Sequence, residues 1–150
     1  YQELFRKVGM RSAIIEADAS GTLVFSSFLF ATARDYARFG LLYMHDGVWQ
    51  GERILPEGWV KYARTATPTA PHHEYGAHWW LPSDNDRKRA KDKGIPLPED
   101  MFFAQGFEGQ NVFVIPSRKL VVVRLGLAYF AATISYDYVP DVLAALPKPD

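Results

Sequence analysis

An antiparallel sheet flanked by helices, α/β in the α+β sense, is the fold this sequence predicts. Three observations predict it. Residues 101–127 hold three runs of strand formers, each closed by Gly or Pro. Thr32 to Met44 carries apolar residues at helical spacing. Shorter helical patterns stand near both ends of the chain, around Leu4-Phe5 and Val142-Leu143.

The three strands are read as Phe102–Gln105, Gln110–Ile115 and Leu120–Gly126. Gly106 to Gly109 makes the first turn and Pro116 to Arg118 the second. The unbroken Leu120-Val-Val-Val123 run suits a strand covered on both faces. The first turn holds two glycines and sets backbone N–H groups at a strand end. Such a place can receive a developing negative charge, and it can equally be a plain hairpin turn.

In chain order, Tyr1 to Val8 reads as an amphipathic helix capped by Gly9. Ala13–Glu16 and Thr22–Phe25 read as short strands about a turn at Asp18–Gly21. Thr32 caps the main helix, and Asp35 three residues later makes an acidic version of the capping box. Tyr36, Phe39, Gly40 and Tyr43 form its apolar face, with Ala33, Ala37, Leu41 and Met44 beside them, and Asp46-Gly47 stops it. Val48 to Leu55 is an extended excursion turning at Gly51. Pro56 opens a helix continued by Glu57 to Arg64. A Pro/Thr loop, Thr65 to Pro71, leads to an aromatic strand, Tyr75–Leu81. Ser83 to Asp100 reads as a polar loop, and Val139 to Leu146 as a closing helix.

The 150 residues suit one domain, which buries roughly 70% of its unfolded surface. Hydrophobic content of 48% and charged content of 23% are those of an ordinary globular chain. Net charge is zero and no basic stretch is interleaved with aromatics, which argues against nucleic acid as a partner. Without cysteine there is neither disulfide nor thiol catalysis, while the compartment stays open. No apolar run reaches membrane-spanning length. A chain that opens on Tyr1 and shows no signal peptide is expected to be a processed or excised piece.

Candidate metal sites are weak. His72-His73-Glu74 with His78 fits no zinc spacing, so surface or packing histidines are expected. Asp84-Asn-Asp86 starts like a calcium loop but meets Lys88 where a ligand is needed. Arg87 to Lys93 is a modestly basic run, read first as a solvated face and second as an anion site. No metal and no cofactor are expected. There is also no nucleophile elbow, no serine with lysine three residues on, and no tyrosine with asparagine two residues on.

Five segments follow one another in a familiar order. They are Thr32-Ala-Arg-Asp-Tyr-Ala-Arg-Phe-Gly-Leu-Leu-Tyr43, Asp46-Gly-Val-Trp49, Gly51-Glu-Arg-Ile-Leu-Pro-Glu-Gly-Trp59, Tyr75-Gly-Ala-His-Trp-Trp80 and Gly106-Phe-Glu-Gly-Gln110. Gly9-Met10 and Ile115-Pro116 add to them. Together they resemble the C-terminal part of serine hydrolases related to class C β-lactamases and penicillin-binding proteins, nearest the aminohexanoate-oligomer hydrolase and esterase-like branch.

The resemblance implies a β-lactamase/transpeptidase-like fold over 1–150, as the C-terminal part of a single domain whose nucleophile-bearing part lies upstream. It implies attack by a serine of a Ser-x-x-Lys motif on an ester or small amide, through an acyl-enzyme. Ala104-Gln105-Gly106 stands where β-lactamases carry Lys-Thr-Gly. The Phe107 backbone N–H would be one oxyanion-hole donor, the other coming from the nucleophilic serine. Ala104, Gln105, Gly106, Glu108, Gly109 and Gln110 would line the substrate. The lost lysine and threonine argue against penicillin as that substrate. The expected partners are this small molecule and the upstream part of the domain. The rival class is a binding module that kept the fold and lost the chemistry; a Ser-x-x-Lys upstream would decide between them.

Overall fold

The computed structural model describes residues 2–24, 27–92, 94, 96–127 and 138–147. Its centre is a three-stranded antiparallel sheet of β5 (Phe102–Gly106), β6 (Gln110–Ile115) and β7 (Leu120–Arg124), with β6 in the middle. Register is set by pairs such as Phe103↔Phe113 and Phe113↔Val122. Two of the three predicted strands agree within a residue. The third ends at Arg124 because Gly126 lies at φ +147 and its backbone is taken up by a side chain of β6. β7 is half-buried along its length, as suits an outer strand with a Val-rich inner face.

Alternation splits the sheet's side chains between two layers. On one face α1 (Ala33–Met44) lies across β6 and β7. Gly40 allows this approach, since a Cβ there would stand 2.6 Å from Val121 Cγ1. On the other face Phe103, Phe113 and Ile115 join Leu97, Met101 and Val139, the first residue of α4 (Val139–Ala145).

The α1 face predicted from spacing is only part of what the helix buries. Phe39 and Tyr43 pack on Trp79, the Phe39 ring stacked at 5.9 Å, beside Val60, Ala63, Phe102 and Val114. Leu42, outside the predicted face, is fully buried with Phe5, Val8, Met10, Ala13 and Ile15. The helix is wedged between two layers, so its apolar arc is wider than one stripe. Its capping box is completed from outside. Asp35 N donates to Thr32 Oγ1 at 3.3 Å, but the Asp35 carboxylate accepts from Ser12 N and Oγ at 2.8 and 2.6 Å. Ser12 Oγ in turn accepts from Thr32 N at 3.0 Å.

Elsewhere the chain departs from expectation for local reasons. The first helix is a wide π-type turn at Gln2–Arg6 that passes through 7–8 to Gly9 at φ +80. Predicted residue Tyr1 lies outside the described residues. β1 (Ile14–Ile15) pairs with β2 (Leu29–Phe30), not with Thr22–Phe25, of which only Leu23 bridges to Ala17. Phe25 lies outside the described residues. The Asp18 turn is present, its carboxylate accepting from Ser20 N and Thr22 N. β3 (Val48–Trp49) and β4 (Glu52–Arg53) form a hairpin over Gln50 and Gly51, both at positive φ.

α2 is shorter than predicted, Trp59–Ala63, because Gly58 at φ +77 precedes it. Tyr75–Leu81 is not one strand. His78 at φ +63 folds it back so that Tyr75 bridges Trp80, and Trp80 then bridges Phe103 at the β5 edge. The polar stretch after Pro82 is not all loop: α3 spans Asp84–Asp92. Ser83 and Asp86 cap it reciprocally, Asp86 N donating to Ser83 Oγ at 3.1 Å and Ser83 N to Asp86 Oδ2 at 3.2 Å.

Candidate active site

The candidate residues sit on one turn, where β5 hands over to β6. Gly106 pairs with Gln110, and Phe107–Gly109 forms a single 3₁₀ turn between them. Glu108 and Gly109 both occupy the left-handed region, at φ +55 and +78. Gly109 takes that conformation at no cost, whereas Glu108 is strained there. Gly106 has extended backbone at φ −114, so its glycine is not a conformational need. Its role is space: a Cβ would come to 3.3 Å from Gln110 Cβ.

Around this turn each predicted residue has its own setting. Ala104 packs half-buried against the Trp79 cluster, and Gln105 is half-buried across from Asn111. Gly106 is exposed, and the Phe107 side chain is 86% exposed, the most open large apolar residue described. A core-forming phenylalanine would not stand so; the turn instead presents this ring to the outside. Glu108 is half-buried and Gly109 buried. The Gln110 amide is engaged by protein: Nε2 donates to Gly126 O at 2.7 Å and Oε1 accepts from Gly126 N at 2.9 Å. Its side chain therefore ties the turn to the end of β7.

Two residues not singled out from sequence complete the surroundings. Gly109 O accepts from Asn111 Nδ2 at 2.7 Å and from Arg124 Nη1 at 2.6 Å. Asn111 is the cross-strand partner of both Gln105 and Arg124, so the three make one polar row across the sheet. The sequence signal was phase: Asn111 shares its face with Phe113 and Ile115, where an apolar residue is the default. Burial pushes the nearby Tyr138 phenol up to about 12, against the opposing pull of the Arg124 charge.

The other candidate groups lie apart. His73 Nδ1 is 3.1 Å from Asp84 Oδ2, and His72 N donates to Glu74 at 2.8 Å. Among the described residues no three His, Asp or Glu side chains gather as a metal set. Asp84-Asn-Asp86 opens α3 and is not a calcium loop. Of the basic run, Arg87 is used on Pro98 O and Glu99 O, at 3.3 and 3.1 Å, and Arg89 on Asp86. Lys93 lies outside the described residues. An open cleft of about 400 Å³ lies between α2 and the start of β5, lined by Lys61, Arg64, Glu99 and Asp100 among others. It is at the opposite end of β5 from the turn. Among the described residues no helix is long and apolar enough to cross a membrane.

No protein-family model matches the chain. It is 29% identical over 126 residues to a 6-aminohexanoate-dimer hydrolase of Paenarthrobacter ureafaciens, an alignment covering 77% of this chain and 29% of that one. An uncharacterised protein of Alkalihalophilus pseudofirmus is 24% identical, over 76% of this chain and 34% of its own. The chain thus spans about a third of the length of these curated relatives. Among solved structures, a Bacillus anthracis protein provisionally named a 6-aminohexanoate-dimer hydrolase superposes with a TM-score of 0.66 at 24% identity. That match covers 97% of this chain and 38% of the other. A protein of Bacteroides dorei provisionally named a β-lactamase gives 0.59 at 14% identity, covering 96% and 49%. The chain carries part of a β-lactamase-like fold, with sequence similarity over most of its length to a 6-aminohexanoate-dimer hydrolase.

Proposed function

We propose that this chain is the C-terminal part of a serine hydrolase acting on an ester or small amide through an acyl-enzyme. The Gly106–Gln110 turn forms one wall of the site, and the Phe107 backbone N–H is an oxyanion-hole donor. The observation that carries this reading is the turn's form. It is a three-residue reversal at a strand end, open to solvent at Gly106 and Phe107 yet held from behind at Gly109 and Gln110. A tetrahedral intermediate needs donors at about 2.7–3.1 Å from its oxygen, already fixed in place. A backbone N–H serves, and a preceding glycine leaves room for the substrate's approach. The similarity to a hydrolase of aminohexanoate dimers favours a small linear amide or ester over a penicillin, in keeping with the absent Lys-Thr-Gly.

The upstream remainder of the domain is the expected partner. It would supply the nucleophilic serine and the groups that move protons, and it would cover β7, whose outer edge is unpaired among the described residues. The test is kinetic, on the full-length protein with a short p-nitrophenyl ester. Gly106→Val should lower the acylation rate on the order of 10²-fold, as loss of an oxyanion donor does, while Phe107→Ala stays within a few-fold. Unchanged turnover in a folded Gly106→Val protein would overturn the assignment.

A further inference from the structure

The turn's back is held by two side chains from neighbouring strands. Asn111 on β6 and Arg124 on β7 both donate to the Gly109 carbonyl, at 2.7 and 2.6 Å. Asn111 is 2% exposed, in a strand whose other residues beyond Gln110 are apolar and buried. Placing an amide there costs free energy unless its groups are hydrogen-bonded, and an aliphatic side chain of similar shape would serve the core better. Its Nδ2 goes to the turn, while its buried Oδ1 has no hydrogen-bond partner among the described residues. Arg124 is the charged end of an otherwise Leu-Val-Val-Val strand, and it too reaches back across the sheet to the turn. Glu108, next to Gly109, stays at φ +55. A non-glycine residue holds such a conformation only where its surroundings over-determine it.

We propose that Arg124 and Asn111 are positioning residues: by holding the Gly109 carbonyl they fix the direction in which the Phe107 N–H is presented to the substrate. The inference rests on the oxyanion reading above. Its physical basis is that peptide planes are rigid and the turn has only three residues. Releasing the Gly109 plane therefore allows the planes of Glu108 and Phe107 to rotate with it. A donor misplaced by about 1 Å costs on the order of 10²-fold in rate. Neither side chain needs to touch the substrate for this to act.

The experiment uses the full-length protein acylated by a slowly hydrolysed ester labelled with ¹³C at the carbonyl. Infrared spectroscopy reads the acyl carbonyl stretch, whose frequency falls as oxyanion-hole donors polarise the bond. Arg124→Ala and Asn111→Leu should raise that frequency and slow acylation by roughly 10- to 100-fold, with KM little changed. Arg124→Lys keeps one donor and should recover part of both. Leu42→Ala, a core change on the far side of α1, should lower the melting temperature without moving the stretch. If Arg124→Ala does not fold, Arg124→Lys and Asn111→Leu decide the matter. An acyl-enzyme whose stretch and acylation rate are the same in wild type and in folded Asn111→Leu and Arg124→Lys proteins overturns this proposal alone. Failure of the wild type to form any acyl-enzyme overturns the proposed function and this inference with it.

Discussion

Asp35 is a carboxylate 3% exposed, and it survives there because donors surround it. Burial alone would raise its pKa; the Ser12 hydroxyl and amide and the Arg38 guanidinium outweigh that and hold it below the usual carboxylate value. A folded pKa below the unfolded one means stability that is present above the unfolded value, near 3.9, and lost as pH falls through the folded one. The melting temperature should therefore drop below about pH 4. Asp35→Asn should lose about 1–3 kcal/mol at neutral pH, because its NH₂ faces donors, and should flatten that acid-side drop. An unchanged melting temperature would show that the Ser12 link carries no stability. Thr32 as the helix cap is legible from the sequence, but the Asp35 carboxylate does not close the predicted capping box; it goes to Ser12, 23 residues away, and nothing local encodes a contact of that span. The same limit hid Asn111 and Arg124. Each is an unremarked polar residue until the register makes them neighbours.

At the scale of elements, strand-forming runs punctuated by Gly and Pro, and one long helical period, were the readable signals. β5, β6 and both of their turns were readable from Gly, Pro and strand formers. α1 was readable too, although Leu42 lay off its predicted stripe because the helix is covered on more than one side. Phe39→Asp would set a charge between Trp79 and Tyr43, and should cost on the order of 3 kcal/mol or more in a thermal or denaturant melt. A melt like that of the wild type would place Phe39 outside the core. α3 was missed although Ser83-Asp-Asn-Asp86 spells its cap, because α3 buries no residue and so shows no apolar period. Its helicity therefore rests on the cap, and Ser83→Ala should cost about 1 kcal/mol of local stability, read as faster amide exchange over Arg87 to Lys91. Tyr75–Leu81 failed as a strand for the opposite reason: aromatic content suggested extension while His78 reverses the backbone.

For the whole molecule, the matter is what 150 residues can do when their relatives are more than twice as long. The sheet, its two covering layers and the turn are present. A Ser-x-x-Lys sequence is not. The chain by itself should hydrolyse neither p-nitrophenyl esters nor nitrocefin, and serine-dependent turnover by the purified chain would refute this. The fold class was legible because it depends on pattern. The candidate site was legible only as a turn with two glycines; resemblance suggested the role proposed for it, and the register brought Asn111 and Arg124 to its back. The most direct measurement is the crystal structure of the full-length protein after reaction with a phosphonate that phosphorylates serine hydrolases at their nucleophile. The account predicts a serine-bound phosphonyl group with its oxygen at about 2.7–3.1 Å from the Phe107 N. No adduct, or an adduct whose oxygen is held by other donors while Phe107 N points away, would contradict it.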